Sequence, residues 1–334
     1  MADRRANAVV FGFDFQVNAA IVLMLENIKK LDSLRLEGNY EDIELKLTDE
    51  TYILAQAKAV VNSSFDFRNV RKNLKKALIS LSEGAEKVNA KELIFITNSS
   101  NPFDDDDSRS AFWGPTQRNY SDLPPSAQTM VDKYLNDIQK PLDPDKLKIQ
   151  VLPFETDNEV ERYKAVMSAI DNFVGMLNIN IPGLGKKLLH IWHQEIFTNS
   201  TKKDATIKLD KKNIIWPILV IATDVEQSDE SFLEQFDASL YDEIVNRYKD
   251  TIDTCCERVE FFTKVLYDYN LFQGDRIPSK KCLEFVECCW KNYIPEFTIE
   301  GIDEETLEGL IKIIVYNIVR RRYSIDKIKK GVEL

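Results

Sequence analysis

The sequence predicts an α/β region, a mixed sheet flanked by helices, followed by an all-α region. Three observations predict it. Residues 43–58 carry two neighbouring runs with strand character, apolar segments switch between helical and strand spacing as far as residue 152, and helical spacing dominates from residue 231 onward. With 334 residues the chain is long enough for a full core and two domains. The expected division is 1–204 for the α/β part and 205–334 for the helical part.

Taken in order, Phe15 to Lys30 reads as an amphipathic helix. Ile43, Leu45 and Leu47 alternate with Glu44 and Lys46, the period of a half-buried strand. Thr48-Asp49-Glu50-Thr51 breaks the pattern, and Tyr52 to Lys58 forms a second strand, so the pair reads as a hairpin. Phe67 to Leu81 is a helix whose apolar stripe is Val70, Leu74, Ala77, Leu78 and Leu81. Leu93–Thr97 is a strand, and Ser99–Pro125 is a long polar loop holding Asp104 to Asp107 and Trp113. A helix at Ala127–Gln139, a strand at Leu147–Leu152 and a helix at Asn158–Leu177 complete the α/β part. Further helices follow at 231–269, 280–293 and 304–330, the last with an apolar stripe of Ile311, Ile314, Val315, Ile318 and Val319 that reads as core.

The chemistry gathers at the hairpin. Glu37, Glu41 and Asp42 precede its first strand, and Gln56 and Lys58 close its second. Gln56 and Lys58 lie two apart and share a face. A three-residue turn puts Asp42 on that face; a two-residue turn sends it to the other. No Asn-Gly or Asp-Gly marks a tight turn, which favours an odd-length turn or a bulge. Magnesium, or manganese in its place, takes hard oxygen ligands. Asp42 is the expected anionic ligand, with the Gln56 side-chain oxygen and the Ala57 backbone carbonyl completing the set. Lys58 is expected to hold the attacking water and offset charge on the phosphoryl oxygens of a cleaved phosphodiester. Glu41 or Glu37 compensates for the neutral Gln56. The competing reading is a solvated hairpin with ordinary surface charge.

Gly12 to Gln16, the apolar helix after it, Glu37-Gly38-x-x-Glu41-Asp42 and Gln56-x-Lys58 resemble a PD-(D/E)XK-type double-stranded DNA nuclease domain. Such domains serve as effectors of bacterial anti-phage systems, in CBASS effectors and in the nuclease subunit of Lamassu. The resemblance covers about the first two hundred residues, through the helix containing Trp192. It implies a restriction-endonuclease-like core, a catalytic set of Asp42, Gln56 and Lys58, and support from Gln16 on the first helix. The helical remainder lacks the look of a nucleotide sensor. That tilts the resemblance towards Lamassu, with an SMC-like ATPase and a small accessory subunit as partners and a homo-oligomer as the active form. A catalytically silent subunit binding the ATPase, or a stand-alone restriction-type enzyme, are the alternatives.

A net charge of −11 argues against nucleic-acid binding in general. Locally the balance reverses: Arg68, Arg71, Lys72, Lys75 and Lys76 stand against one acid between Asp66 and Lys76, and residues 311–334 carry seven basic residues against two acids. The first group follows the second hairpin strand and is the expected DNA contact, through Arg68, Arg71, Lys72 and Lys75. The alternative there is a solvated helix face. Residues 181–187 lack the spacing of a phosphate-binding loop, and His190 and His193 lack a third metal ligand. The five cysteines read as buried free thiols in a reducing compartment. The apolar run Ile214–Ala222 is too short to span a bilayer and no secretory segment stands at the N-terminus, so a cytoplasmic location is expected.

Overall fold

A computed structural model of the chain describes residues 4–155, 157–179, 181–223, 230–299 and 301–334. Two compact units emerge, Met1–Pro217 with Gly331–Leu334, and Ile218–Lys330. The division therefore falls later than the 204/205 boundary expected from the sequence.

The first unit begins with α1 (Arg4–Glu26), which starts well before the expected Phe15 and ends before Lys30. Residues 7–10 are exposed, so no apolar period marks that first part as helix. From Phe15 to Leu25 the helix is almost wholly buried. Its stretch Asn7–Glu26 is long and apolar enough to cross a membrane by length and composition, with mean hydropathy 1.9, yet 67% of the window is buried, as in a core helix.

The sheet follows as β1 (Leu31–Leu36), β2 (Ile43–Leu47), β3 (Tyr52–Lys58), β4 (Ala90–Thr97), β5 (Thr116–Asn119), β6 (Leu147–Val151) and β7 (Leu209–Asp210). Strand order is β5-β6-β4-β3-β2-β1-β7. β3, β4 and β6 are parallel neighbours and the other pairs are antiparallel. Between strands run α2 (Phe67–Ala85), α3 (Asp106–Arg109), α4 (Pro125–Asn136), α5 (Glu159–Met176) and α6 (Leu184–Ser200). α2 and α4 close over one cluster that includes Leu54, Phe95, Leu147 and Ile149, while α1 packs with α5 and α6. The whole predicted apolar stripe of α2 is buried there.

The β2–β3 turn has three residues. Lys46 pairs with Tyr52, the Leu47 amide donates to the Thr51 carbonyl at 2.8 Å, and Glu50 closes the turn in the left-handed region at φ +62°. Ile43 faces Ala55, so Asp42 falls opposite Gln56.

Arg35, next to the end of β1, has 2% of its surface exposed. Its guanidinium donates to the carbonyls of Asn199 (2.5 Å), Lys202 (2.8 Å) and Ile207 (3.0 Å) and to the Asn199 side chain (3.1 Å). It thereby ties the end of α6 and the strand-like segment before β7 to the sheet edge. Lys211 makes a similar tie, donating to the carbonyls of Lys29 at 2.7 Å and Glu333 at 3.1 Å.

The second unit is helical: after α7 (Lys211–Thr223) come α8 (Glu230–Leu233), α9 (Ala238–Arg247), α10 (Lys249–Glu257), α11 (Val259–Leu271), α12 (Pro278–Cys289) and α13 (Glu304–Val332). Its core stacks Phe232 on Tyr316 with ring centroids 3.8 Å apart. The α13 stripe of Ile311, Ile314, Val315, Ile318 and Val319 is buried in that core. All five cysteines are free, but only Cys256 and Cys282 are buried; Cys288 is exposed, which corrects the expectation of buried thiols.

Candidate active site

The six-residue connection from Glu37 to Asp42 is shaped by its own charges. The Glu37 amide donates to the Asp42 carbonyl at 2.7 Å and the Gly38 amide to the Glu41 carbonyl at 3.1 Å. The buried Glu44 carboxylate accepts from the Tyr40 amide at 2.5 Å and the Glu41 amide at 3.2 Å. A Cβ on Gly38 would lie 2.1 Å from that carboxylate, so any side chain there requires Glu44 to shift. Gly84 of α2 meets the same connection: a Cβ there would approach the Tyr40 carbonyl to 2.8 Å. The catalytic candidates are thus held by a buried carboxylate below and a close-packed helix above. Gly38→Ala is expected to push Glu44 off its two amides and lower stability by about 1–3 kcal/mol, read as a drop in Tm.

Four elements then converge. Asp42 Oδ2 accepts from Gln16 Nε2 of α1 at 2.8 Å and from Lys58 Nζ of β3, also at 2.8 Å. Both donors use one oxygen, and Oδ1 takes no hydrogen bond among the described residues. Gln56 Nε2 donates to Glu41 Oε2, which also accepts from the Asp42 amide at 3.0 Å. Ser80 of α2 stands 3.5 Å from the Gln56 nitrogen. Ala57 lies between Gln56 and Lys58 in β3, in the stretch paired with β4. Gln16, Glu41, Asp42, Gln56 and Lys58 are therefore brought together. Ser80 was not foreseen; it lies on a helix face with no sequence signal beyond its distance from the strand.

Glu41 is the electrostatic centre. It is 5% exposed, and its Oε1 has no hydrogen-bond partner. Burial pushes its pKa up to about 7; donors on Gln56, Ser80 and the Asp42 backbone only partly offset this, and the Asp42 charge adds to it. Glu37 is raised as well, first by burial and then by Asp42. An orphaned, desolvated carboxylate oxygen beside a second carboxylate and a side-chain amide is an oxygen donor set that calls for a proton or a hard cation. No group of three His, Cys, Asp or Glu side chains is placed to hold a metal among the described residues. The set that fits is Asp42 and Glu41 with the Gln56 amide.

Because the folded pKa of Glu41 lies above the ordinary 4.5, the folded state holds a proton that the unfolded chain has lost. The associated stability is complete below about pH 4.5 and disappears as pH rises through about 7. Its size is on the order of 3 kcal/mol. Glu41→Gln is expected to flatten the decline of Tm between pH 5 and pH 8, roughly the span between the two states' titrations.

The basic stripe of α2 divides. Lys75 pairs with Asp137 at 2.8 Å and Arg71 lies 3.8 Å from Asp104. Arg68, Lys72 and Lys76 are exposed and form no ion pair among the described residues. They are spaced by four along the ridge that ends at Ser80, so they point the way to the site. The Asp104–Asp107 run also has structural duties: Asp105 caps α3, accepting from the Ser108 amide at 3.0 Å and from Ser126 Oγ at 2.7 Å. His193 contacts Asp14 Oδ1 through Nε2 at 2.9 Å, in a network with Tyr163 and Asn18.

Comparison with protein-family models, with curated proteins and with solved structures finds no match for this chain.

Proposed function

We propose that the chain is a metal-dependent endonuclease of the PD-(D/E)XK type acting on double-stranded DNA, as the effector of an anti-phage complex. The observation that carries the reading is the convergence of Gln16, Asp42 and Lys58 on one carboxylate oxygen, beside the orphaned oxygen of Glu41. Asp42, Glu41 and the Gln56 side-chain oxygen would hold Mg²⁺ or Mn²⁺, with the Ala57 carbonyl within the same strand segment. The metal would polarise the scissile phosphate and lower the pKa of a bound water.

The chain's own residues do the rest. Gln16 and Lys58 fix the orientation of Asp42. Lys58 places a positive charge where phosphoryl oxygens gain negative charge and where the attacking water must be held. Glu41 supplies the second carboxylate that position 56 lacks, and Gln56 orients it. Arg68, Lys72 and Lys76 lie along the approach as phosphate contacts; the exposed pairs of Arg71 and Lys75 are screened by solvent and yield readily to a phosphate.

The net charge of −11 suits an enzyme that engages DNA through this one surface, and suits activation by assembly with an SMC-like ATPase and an accessory subunit. The same acidity favours a second reading, a silent subunit that keeps the fold as a scaffold for the ATPase. The deciding experiment incubates the purified chain, up to high concentration, with plasmid DNA and Mg²⁺ or Mn²⁺ beside Lys58→Ala. Metal-dependent nicking or linearisation that the variant loses by about a hundredfold or more supports the nuclease. Equal cleavage by both proteins sinks it, and absence of cleavage even with the partner subunits added favours the scaffold.

Metal also gives an independent readout. At pH 8 the Glu41 charge is unmatched, and a bound cation should relieve it. Millimolar Mg²⁺ is expected to raise Tm at pH 8 and to do so less at pH 5.5, where a proton competes; equal shifts at both values would count against Glu41 as a ligand.

A further inference from the structure

Trp113 is 91% exposed, the highest value for any large apolar side chain among the described residues. It lines an open cavity of about 740 Å³ with Ser100, Asp106, Arg109, Ser110 and Phe112. Phe112 is buried and forms a firm floor, while the Arg109 side chain makes no ion pair among the described residues. An indole face beside a guanidinium matches the chemistry of a nucleotide: a base has a π-face for the indole and a phosphate for the guanidinium.

The placement fits. Lys58 pairs in register with Thr97, so the segment carrying Trp113 leaves the sheet at the end where Lys58 stands. Phe67, the first residue of α2, lines an adjoining hollow together with Asn101, Arg109 and the acidic run Asp104–Asp107, whose carboxylates keep phosphates on the α2 side of the hollow. From there Arg68, Lys72 and Lys76 lead along α2 to Ser80 beside Gln56, a distance of roughly 18 Å at 1.5 Å per residue.

We propose that the Trp113–Arg109 cavity binds an unpaired nucleotide of the DNA, its base stacked on Trp113 and its phosphate on Arg109. The substrate class is then duplex DNA adjoining a single-stranded or opened segment, such as an end or a frayed junction, with the strand tracking α2 towards Lys58. The Asp106 carboxylate at the rim accepts from an exocyclic base amine and keeps the phosphate on the Arg109 side. The choice of ligand rests on the nuclease reading of the neighbouring site.

The test measures binding by fluorescence anisotropy of the full chain in Ca²⁺ or EDTA, with a labelled blunt duplex and the same duplex carrying a single-stranded overhang. Trp113→Ala is expected to weaken overhang binding between about fivefold and a hundredfold and to change blunt-duplex binding by less than about twofold. Trp113→Phe should restore most of the loss, and Arg109→Ala should weaken the overhang complex with a shallower salt dependence. Overhang affinity unchanged in Trp113→Ala, equal losses on both DNAs, or no binding of either DNA overturns the proposal. The two readings separate cleanly: pocket variants that behave as expected beside a Lys58→Ala that still cleaves would remove the active-site assignment and leave the nucleotide cavity, and the reverse pattern would do the opposite.

Discussion

Asp42→Asn is expected to abolish DNA cleavage while leaving the protein as stable as before or more so. Asp42 is the common acceptor for Gln16 and Lys58 and the most accessible carboxylate of the set. Asparagine keeps its shape and one acceptor oxygen but removes the charge that a cation and Lys58 both need. Losing several kcal/mol of transition-state stabilisation corresponds to at least about a thousandfold in rate. Stability moves the other way, because the Asp42 charge is one of the causes that raise both Glu37 and Glu41. Removing it relieves the buried Glu41 and its exposed neighbour Glu37 at neutral pH. The measurement is paired: cleavage rate against Tm at pH 8, with and without Mg²⁺. A variant that loses activity and unfolds together would mean that Asp42 is structural; a variant that still cleaves would end its assignment as ligand.

Arg35→Met is expected to be the most destabilising single change outside the hydrophobic core of the first unit. The side chain is buried, and its guanidinium serves the carbonyls of Asn199, Lys202 and Ile207. Methionine fills much of the volume but removes the charged donor from all three. The Lys202 carbonyl is left without a donor among the described residues, while the Asn199 carbonyl keeps the Lys202 amide at 3.1 Å and the Ile207 carbonyl keeps the Asn199 side chain at 3.0 Å, so the cost should reach about 2–4 kcal/mol. Arg35→Lys should recover only part, since one ammonium cannot reach acceptors spread around a planar fork. Urea unfolding followed by the fluorescence of Trp192, whose indole donates to the Ile214 carbonyl at 2.9 Å in the same unit, reads the transition. A loss below about 1 kcal/mol would show that water replaces the guanidinium at this edge.

What could be read locally was read well. Alternation at Ile43, Leu45 and Leu47 marks the hairpin, and the absence of a tight-turn dipeptide favours an odd-length turn or a bulge; the structure has a three-residue turn, and that single turn decides which face Asp42 occupies. The apolar stripe of α2 is buried residue for residue. Elements without apolar periodicity were missed for the same reason. β5 is Thr-Gln-Arg-Asn, an edge strand with no buried side chain, and residues 7–10 of α1 are exposed. β1 carries Arg35 among its leucines, which blurs its alternation although the arginine is as buried as its neighbours.

The sequence by itself determined the hairpin and the shared face of Gln56 and Lys58, because strand period is a property of adjacent residues; it favoured an odd-length turn or a bulge, and the structure decided that three turn residues put Asp42 opposite Gln56. Only the tertiary structure decided the electrostatics. Glu41 becomes the anomalous carboxylate because α2 closes over it at Gly84 and leaves one oxygen without a partner. Arg71 and Lys75 are drawn to acids 33 and 62 positions away, leaving Arg68, Lys72 and Lys76 exposed and without an ion pair among the described residues. His193 finds Asp14 across 179 positions. Desolvation and ion pairing depend on what the rest of the chain places within a few ångströms, and no local pattern encodes that distance.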